Sequence, residues 1–199
     1  MTGSGPRGPS SEGSRERLVE ATRELLWKLG HSSPSPADIR VRRCRAGKHV
    51  PPFPTKINLA TEAVQRNSVA LEGALATLLD EATSPRDGVR SYLNKPRDGQ
   101  KGCRFGRMTL NNAVLEEDRL HTPVANSLTW YRRRIERLLV DNRQAGKRRN
   151  DFSAEAVAAT IVAIVQGAYV LARADRSRDS FDRIIEGGLV LLSGLESRT

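Results

Sequence analysis

The chain has 199 residues, 38% of them hydrophobic and 28% charged, with a formal net charge of +10 and two cysteines. That length can bury a core without disulfides or metals, as one large domain or two small ones. Cys44 and Cys103 lie far apart with no CxxC pair and no His at ligand spacing, so neither a disulfide framework nor a metal site is indicated, and two reduced thiols in a cytoplasm are expected.

Residues 1–56 hold 11 Lys/Arg against 5 Asp/Glu, and residues 57–199 hold 22 against 18. A local excess of this kind favours a polyanion, because neutralised phosphates release counterions. The plainer alternative is the solvated surface of an Arg-rich protein.

In chain order, Met1 to Gly13 are rich in Gly, Ser and Pro and have no apolar core. They exclude a secretory signal and are expected to form a disordered leader. Leu18, Ala21, Leu25 and Leu29 have helical spacing, which predicts a first helix from Ser14 to Leu29, with Ser14 as N-cap and Gly30 as terminator. Ser35-Pro36-Ala37-Asp38 opens a short second helix: a cap, a proline at the first position and an acid near the positive end of the dipole. Arg45 to Val50 can form a turn or two of helix before Pro51, Pro52 and Pro54 interrupt it.

Thr55 caps a long helix to about Glu81, with Leu59, Ala63, Val64, Leu71, Leu75, Leu78 and Leu79 on its buried face. Thr83-Ser84-Pro85 opens a short helix carrying Val89, Tyr92 and Leu93, and residues 94–102 read as a loop. Gly102 to Gly106 leads into a further short helix to about Leu115. A long amphipathic helix follows from about Pro123 to Ala145, ended by Gly146. Ser153 caps the next, which carries Val157, Ile161, Ile164, Val165, Ala168 and Tyr169. The last carries Phe181, Ile184, Ile185, Gly188, Leu189, Leu192 and Leu195. The apolar run 154–172 is broken by Glu155, Thr160, Gln166 and Gly167 and reads as too polar and short for a membrane span. No stretch alternates like a strand, so the expected fold is all-α with about nine helices.

Arg15-Glu16-Arg17-Leu18-Val19-Glu20-Ala21, Ser35-Pro36-Ala37-Asp38-Ile39, Ala46-Gly47-Lys48, Phe53-Pro54-Thr55-Lys56 and Leu59-Ala60 together resemble the TetR/AcrR family of transcriptional regulators. Gly102-Cys103-x-x-Gly106 looks like a segment of that family's ligand domain. The resemblance implies a helix-turn-helix DNA-binding domain over 14–60 and a ligand-binding and dimerisation domain over 61–199. It also implies a ligand-responsive regulator, a repressor released from a palindromic operator by a small molecule. Its partners would be duplex DNA, the effector and a second copy held through the last two helices, where Gly167, Ala168, Gly187 and Gly188 permit close approach. The bland alternative is that these stripes fill the monomer core.

By that resemblance Ser35 and Lys56, at helix N-termini, contact phosphates, and Arg45, Lys48 and His49 enter or border the major groove. Val50 touches a thymine methyl or packs on Phe53. Where the family has six residues between Gly47-Lys48 and Phe53-Pro54, with an aromatic and a His, this chain has only His49, Val50, Pro51 and Pro52. Either a shortened element still reads DNA, or specific binding is weakened and the chain is a dimeric ligand- or partner-binding protein. The effector cavity is expected among Tyr92, Phe105, Met108, Leu128, Trp130, Tyr131, Gln166 and Tyr169, against the alternative that aromatics at helical spacing are core. His31, His49 and His121 have no catalytic partners in sequence and no P-loop, GxGxxG or HExxH motif occurs, so no enzyme, cofactor or metal is expected.

Overall fold

A computed structural model describes residues 11–29, 53–144 and 152–194. These form α1 (Ser11–Leu29), α2 (Lys56–Asp80), α3 (Pro85–Asn94), α4 (Arg104–Met108), α5 (Asn112–Leu115), α6 (Asp118–Gln144), α7 (Ala154–Ala174) and α8 (Arg178–Ser193). None of the described residues is in a strand, and the fold is all-α as expected. The expected second helix, the basic segment after it and Cys44 lie outside the described residues, as do Gly30, Gly146 and Leu195.

Local chemistry sets most helix starts. The Thr55 hydroxyl accepts from the Asn58 amide at the head of α2, Ser84 from Asp87 at α3, and Ser153 from Ala156 at α7. Each satisfies an amide that the first turn leaves without a partner.

Three boundaries differ from expectation. α1 begins at Ser11, so Ser11 to Gly13 are helical and Ser14 is an interior residue whose Oγ accepts from Arg17. α6 begins at Asp118 and contains Pro123 within the helix. Glu117 supplies the start: its side chain accepts from the Arg119 amide, and its carbonyl accepts from Leu120 and His121 at 2.9 Å. The proline therefore costs only an early backbone bond, and His121 is helical rather than in a loop. The stretch 104–115 is two helices, because the buried Asn111 turns its side chain onto the Ala113 amide and opens α5 separately.

Packing divides into two clusters strung along α2 and α6. One joins Val19 and Leu26 of α1 to Leu59, Ala63 and Val64 of α2, Phe105 and Met108 of α4, Val114 of α5, and Leu120 and Val124 of α6. The other joins Leu75 and Leu79 at the far end of α2 to α3, to Ile135, Leu138 and Leu139 of α6, and to α7 and α8. Tyr131 packs against both. The two long helices thus carry the N-terminal pair α1–α2 on the same frame as the C-terminal bundle, so a shift in one cluster is felt by the other.

By length and hydropathy α7 would qualify as a membrane span, despite its polar interruptions. Here it packs on α6 and α8. The stripes expected on α7 and α8 face inward: Ile161, Val165, Ala168, Ile185 and Leu192 are buried. The four small residues split. A Cβ on Gly188 would lie 3.0 Å from Ile164, so this glycine and buried Ala168 serve contacts inside the protomer. Gly167 and Gly187 have open space instead, beside Val170, Leu171, Val190 and Leu191, which are 61%, 49%, 66% and 69% exposed. This outward apolar face belongs to a second stripe that the first one masks in sequence.

Candidate functional site

α1 and α2 are held together by a polar seam over their shared core. Arg15 pairs with Glu62, and Arg66 bridges Glu16 and Glu62. Arg23 donates to Asn67 at 2.9 Å, and the Arg15 guanidinium lies over the Phe53 ring. At the α2 N-terminus Lys56 is exposed, the first helical residue after the Thr55 cap, with no acid in that turn. Its ammonium and the helix dipole therefore act in the same direction on an anion. Ser35, Arg45, Lys48, His49 and Val50, the other expected DNA contacts, lie outside the described residues.

Two adjoining cavities open between the end of α1, the 95–103 loop, α6 and α7, with volumes of about 220 and 430 Å³. Both are lined by Gly102, Cys103, Gln166 and Tyr169. The first adds Tyr92 and Tyr131 over an apolar floor of Leu71, Leu75 and Val165, and the second adds Leu128. Five of the eight expected residues thus line cavities. Phe105 and Met108 do not: they are 0% and 2% exposed inside the α1–α2–α4–α6 core. Trp130 does not either; it packs edge-on against Tyr131, ring centroids 5.6 Å apart. Apolar residues on the inner face of a short helix fill the core before they reach a cavity.

Burial pushes the phenol of Tyr92 up to about 12, and pushes those of Tyr131 and Tyr169 up as well, so all three stay protonated donors at neutral pH. Cys103 is a half-buried free thiol.

The remaining wall has no signal in the local sequence. Trp27, near the end of α1, lines the first cavity together with Lys95, Arg97, Asp98 and Arg104. Its indole N–H donates to the Gly102 carbonyl at 2.9 Å, and Lys101 and Arg104 place their cations 3.6 and 3.9 Å from its ring centroid. Arg104 also donates to Glu24 at 2.7 Å, and Arg107 to the Lys28 carbonyl at 2.7 Å. Gly102, at φ 83°, turns the loop so that its carbonyl meets α1. In sequence Trp27 only widens an apolar stripe; its partners lie some 75 residues on, beyond the reach of periodicity.

The hydrogen bond from Arg104, aided by the charges of Arg104, Lys101 and Lys28 against burial, holds the Glu24 carboxyl below its usual 4.5. A lowered folded value means the pair stabilises fully above the unfolded value and is lost as pH falls through the folded one. In a Trp130→Phe background, acid titration of the Trp27 fluorescence is expected to show a step below pH 4.5. Glu24→Gln should remove that step and cost about 0.5–1 kcal/mol, a modest figure because the pair is partly exposed. An unchanged acid step in the variant would refute the assignment.

Residues 86–187 match the family model of the tetracyclin repressor-like C-terminal domain. The chain is 22% identical over 178 residues to the HTH-type transcriptional repressor DhaR of Mycobacterium sp. (strain GP1), covering 86% of this chain and 88% of that protein. It is similar in fold to a TetR-family transcriptional regulator from Cytophaga hutchinsonii, with TM-score 0.78 and 20% identity, over 98% of this chain and 100% of that one. It is also similar to one from Agrobacterium tumefaciens, again with TM-score 0.78 and 20% identity, over 94% and 100%. The matched domain spans α4 to α7 whole and most of α3 and α8, and so includes most of the cavity lining. The chain belongs to the tetracyclin repressor-like (TetR) family of transcriptional regulators. It is a ligand-responsive, DNA-binding regulator.

Proposed function

We propose that the protein is a homodimeric repressor that leaves a palindromic operator when a small molecule fills the cavities beside Trp27. The division is a helix-turn-helix domain over 14–60 and a ligand-binding and dimerisation domain over 61–199, with α2 running through the boundary. The reading rests above all on Trp27: a residue of the DNA-binding unit is part of the cavity wall and is tied by hydrogen bond to Gly102. An occupant that displaces the 95–103 loop moves α1, and the ion-pair seam passes that movement to α2 and Lys56. Ser35 and Lys56 grip phosphates, Arg45, Lys48 and His49 serve the groove, and Val50 packs against Phe53 or a thymine methyl. Tyr92, Leu128, Tyr131, Gln166 and Tyr169 touch the effector. The outward faces of α7 and α8 pair two copies, so a two-fold protein meets a two-fold site. The protein works in the cytoplasm, binds without catalysing a reaction, and needs neither cofactor nor metal.

An electrophoretic shift with the DNA upstream of the protein's own gene, over a range of salt, tests this. Retention that survives moderate salt and competitor DNA is expected. Salt-sensitive, sequence-blind binding would favour the rival, a dimeric ligand- or partner-binding protein that has lost operator reading through its shortened 49–52 segment.

A further inference from the structure

We infer that the effector is an anion: a small molecule with an apolar skeleton and a carboxylate, sulfonate or similar oxyanion. The inference deepens the regulator reading and rests on it. It comes from the imbalance of charge and hydrogen-bonding capacity around the two cavities.

Five cationic side chains line them, against the single carboxylate of Asp98. Among the described residues only Arg104 of the five has a carboxylate partner, Glu24. Arg97 donates to the carbonyls of Tyr92, Leu93 and Lys95, Arg107 to those of Lys28 and Lys101, and Arg173 weakly to that of Gln100. Backbone carbonyls satisfy donors but leave the charges uncompensated. The half-buried Lys95 ammonium makes no hydrogen bond or ion pair among the described residues. Its pKa is lowered by burial and then by Arg97, and that of Arg107 by burial and then by Arg173. These cations stand in mutual repulsion with part of their water removed, a field that a bound negative charge would relieve.

The hydrogen-bonding groups agree. The hydroxyls of Tyr92, Tyr131 and Tyr169 make no hydrogen bond within the described residues, although Tyr92 is 5% exposed. All three residues line the first cavity, so their free hydroxyls are available there to an acceptor. A cationic ligand would meet like charge at five of the six charged lining positions, and a hydrocarbon would leave the phenols unmet. The floor of Leu71, Leu75 and Val165 takes the skeleton.

Two probes sharing one aromatic skeleton test the inference on the full-length protein. One is 1-anilinonaphthalene-8-sulfonate; the other, N-phenyl-1-naphthylamine, lacks only the sulfonate. Fluorescence titration should show the sulfonate binding at least tenfold more tightly. Lys95→Met and Tyr169→Phe, made separately, should each reduce that preference at least threefold, and circular dichroism should confirm that both variants stay folded. Equal or tighter binding of the neutral probe would overturn the inference. So would a preference untouched by both variants, which places the sulfonate elsewhere on the basic surface, or failure of both probes to bind. Operator retention is measured on the same preparation. If it persists while the anion preference fails, only the effector class is wrong; if it is absent, the regulator reading itself has failed.

Discussion

Val190→Glu with Leu191→Glu is expected to give a monomer that no longer holds an operator. Both side chains point away from their own protomer, 66% and 69% exposed, and Gly187 one turn earlier leaves space that no local side chain fills. Val170 and Leu171 of α7 are exposed as well, nearer the α7–α8 turn, and large apolar side chains left in water along two adjacent helices mark a contact surface. Two carboxylates there would be desolvated in any dimer and would meet their symmetry mates, an arrangement that costs several kcal/mol. In the separated protomer the same residues stay in water, so the fold should lose no more than about 0.5 kcal/mol. An operator read by two linked units loses about 10²–10⁴ in affinity when the link is cut. Sedimentation should report half the mass with an unchanged circular dichroism spectrum, and the gel shift should vanish at protein concentrations that saturate the parent. Val69→Glu is the control: Val69 is 74% exposed on α2, away from this face, and its variant should remain a dimer. A dimer that survives the double substitution would move the interface off α7 and α8.

Features set by near neighbours were legible in the sequence. Thr55, Ser84 and Ser153 cap helices through amides three residues on, so their roles follow from spacing alone. The inward stripes of α7 and α8 follow from a 3.6 period in the same way. Legibility failed where a residue's partner is distant or its signal ambiguous. Pro123 reads as a helix start because proline is welcome there; the actual start depends on the Glu117 side chain accepting from the Arg119 amide, and acids are common in loops too. Asn111 splits α4 from α5 through one side-chain bond that periodicity does not register. The cavity was half legible. Its aromatic and polar wall on α3, α6 and α7 follows from helical spacing, whereas its cationic rim is split among the 95–103 loop, α4 and the end of α7, and its link to α1 is a tryptophan that reads as core. Phe105, Met108 and Trp130 lie outside the cavities because spacing identifies an inward face without distinguishing solid core from the edge of a hole.

Phe105→Ala carries the largest expected loss of stability and tests that distinction. Phe105 is 0% exposed, with its ring centroid 6.5 Å from that of Tyr131, in the cluster that joins α1, α2, α4, α5 and α6. Truncating a fully buried phenylalanine costs about 3–5 kcal/mol, from lost transfer energy and the cavity left behind. Against a typical total of about 5–15 kcal/mol that is a large fraction. Urea unfolding followed by circular dichroism should show the midpoint fall steeply with little change in slope, and Phe105→Leu should recover more than half of the loss. Operator binding should weaken before global unfolding, because this cluster seats α1 and α2 on the rest of the protein. A side chain lining a water-accessible cavity would behave differently: its removal would enlarge the cavity, cost about 1 kcal/mol or less, and act mainly on effector affinity. A small stability change coupled to a large change in probe binding would therefore return Phe105 to the cavity wall and show that the space between α4 and α6 opens further than its packing implies.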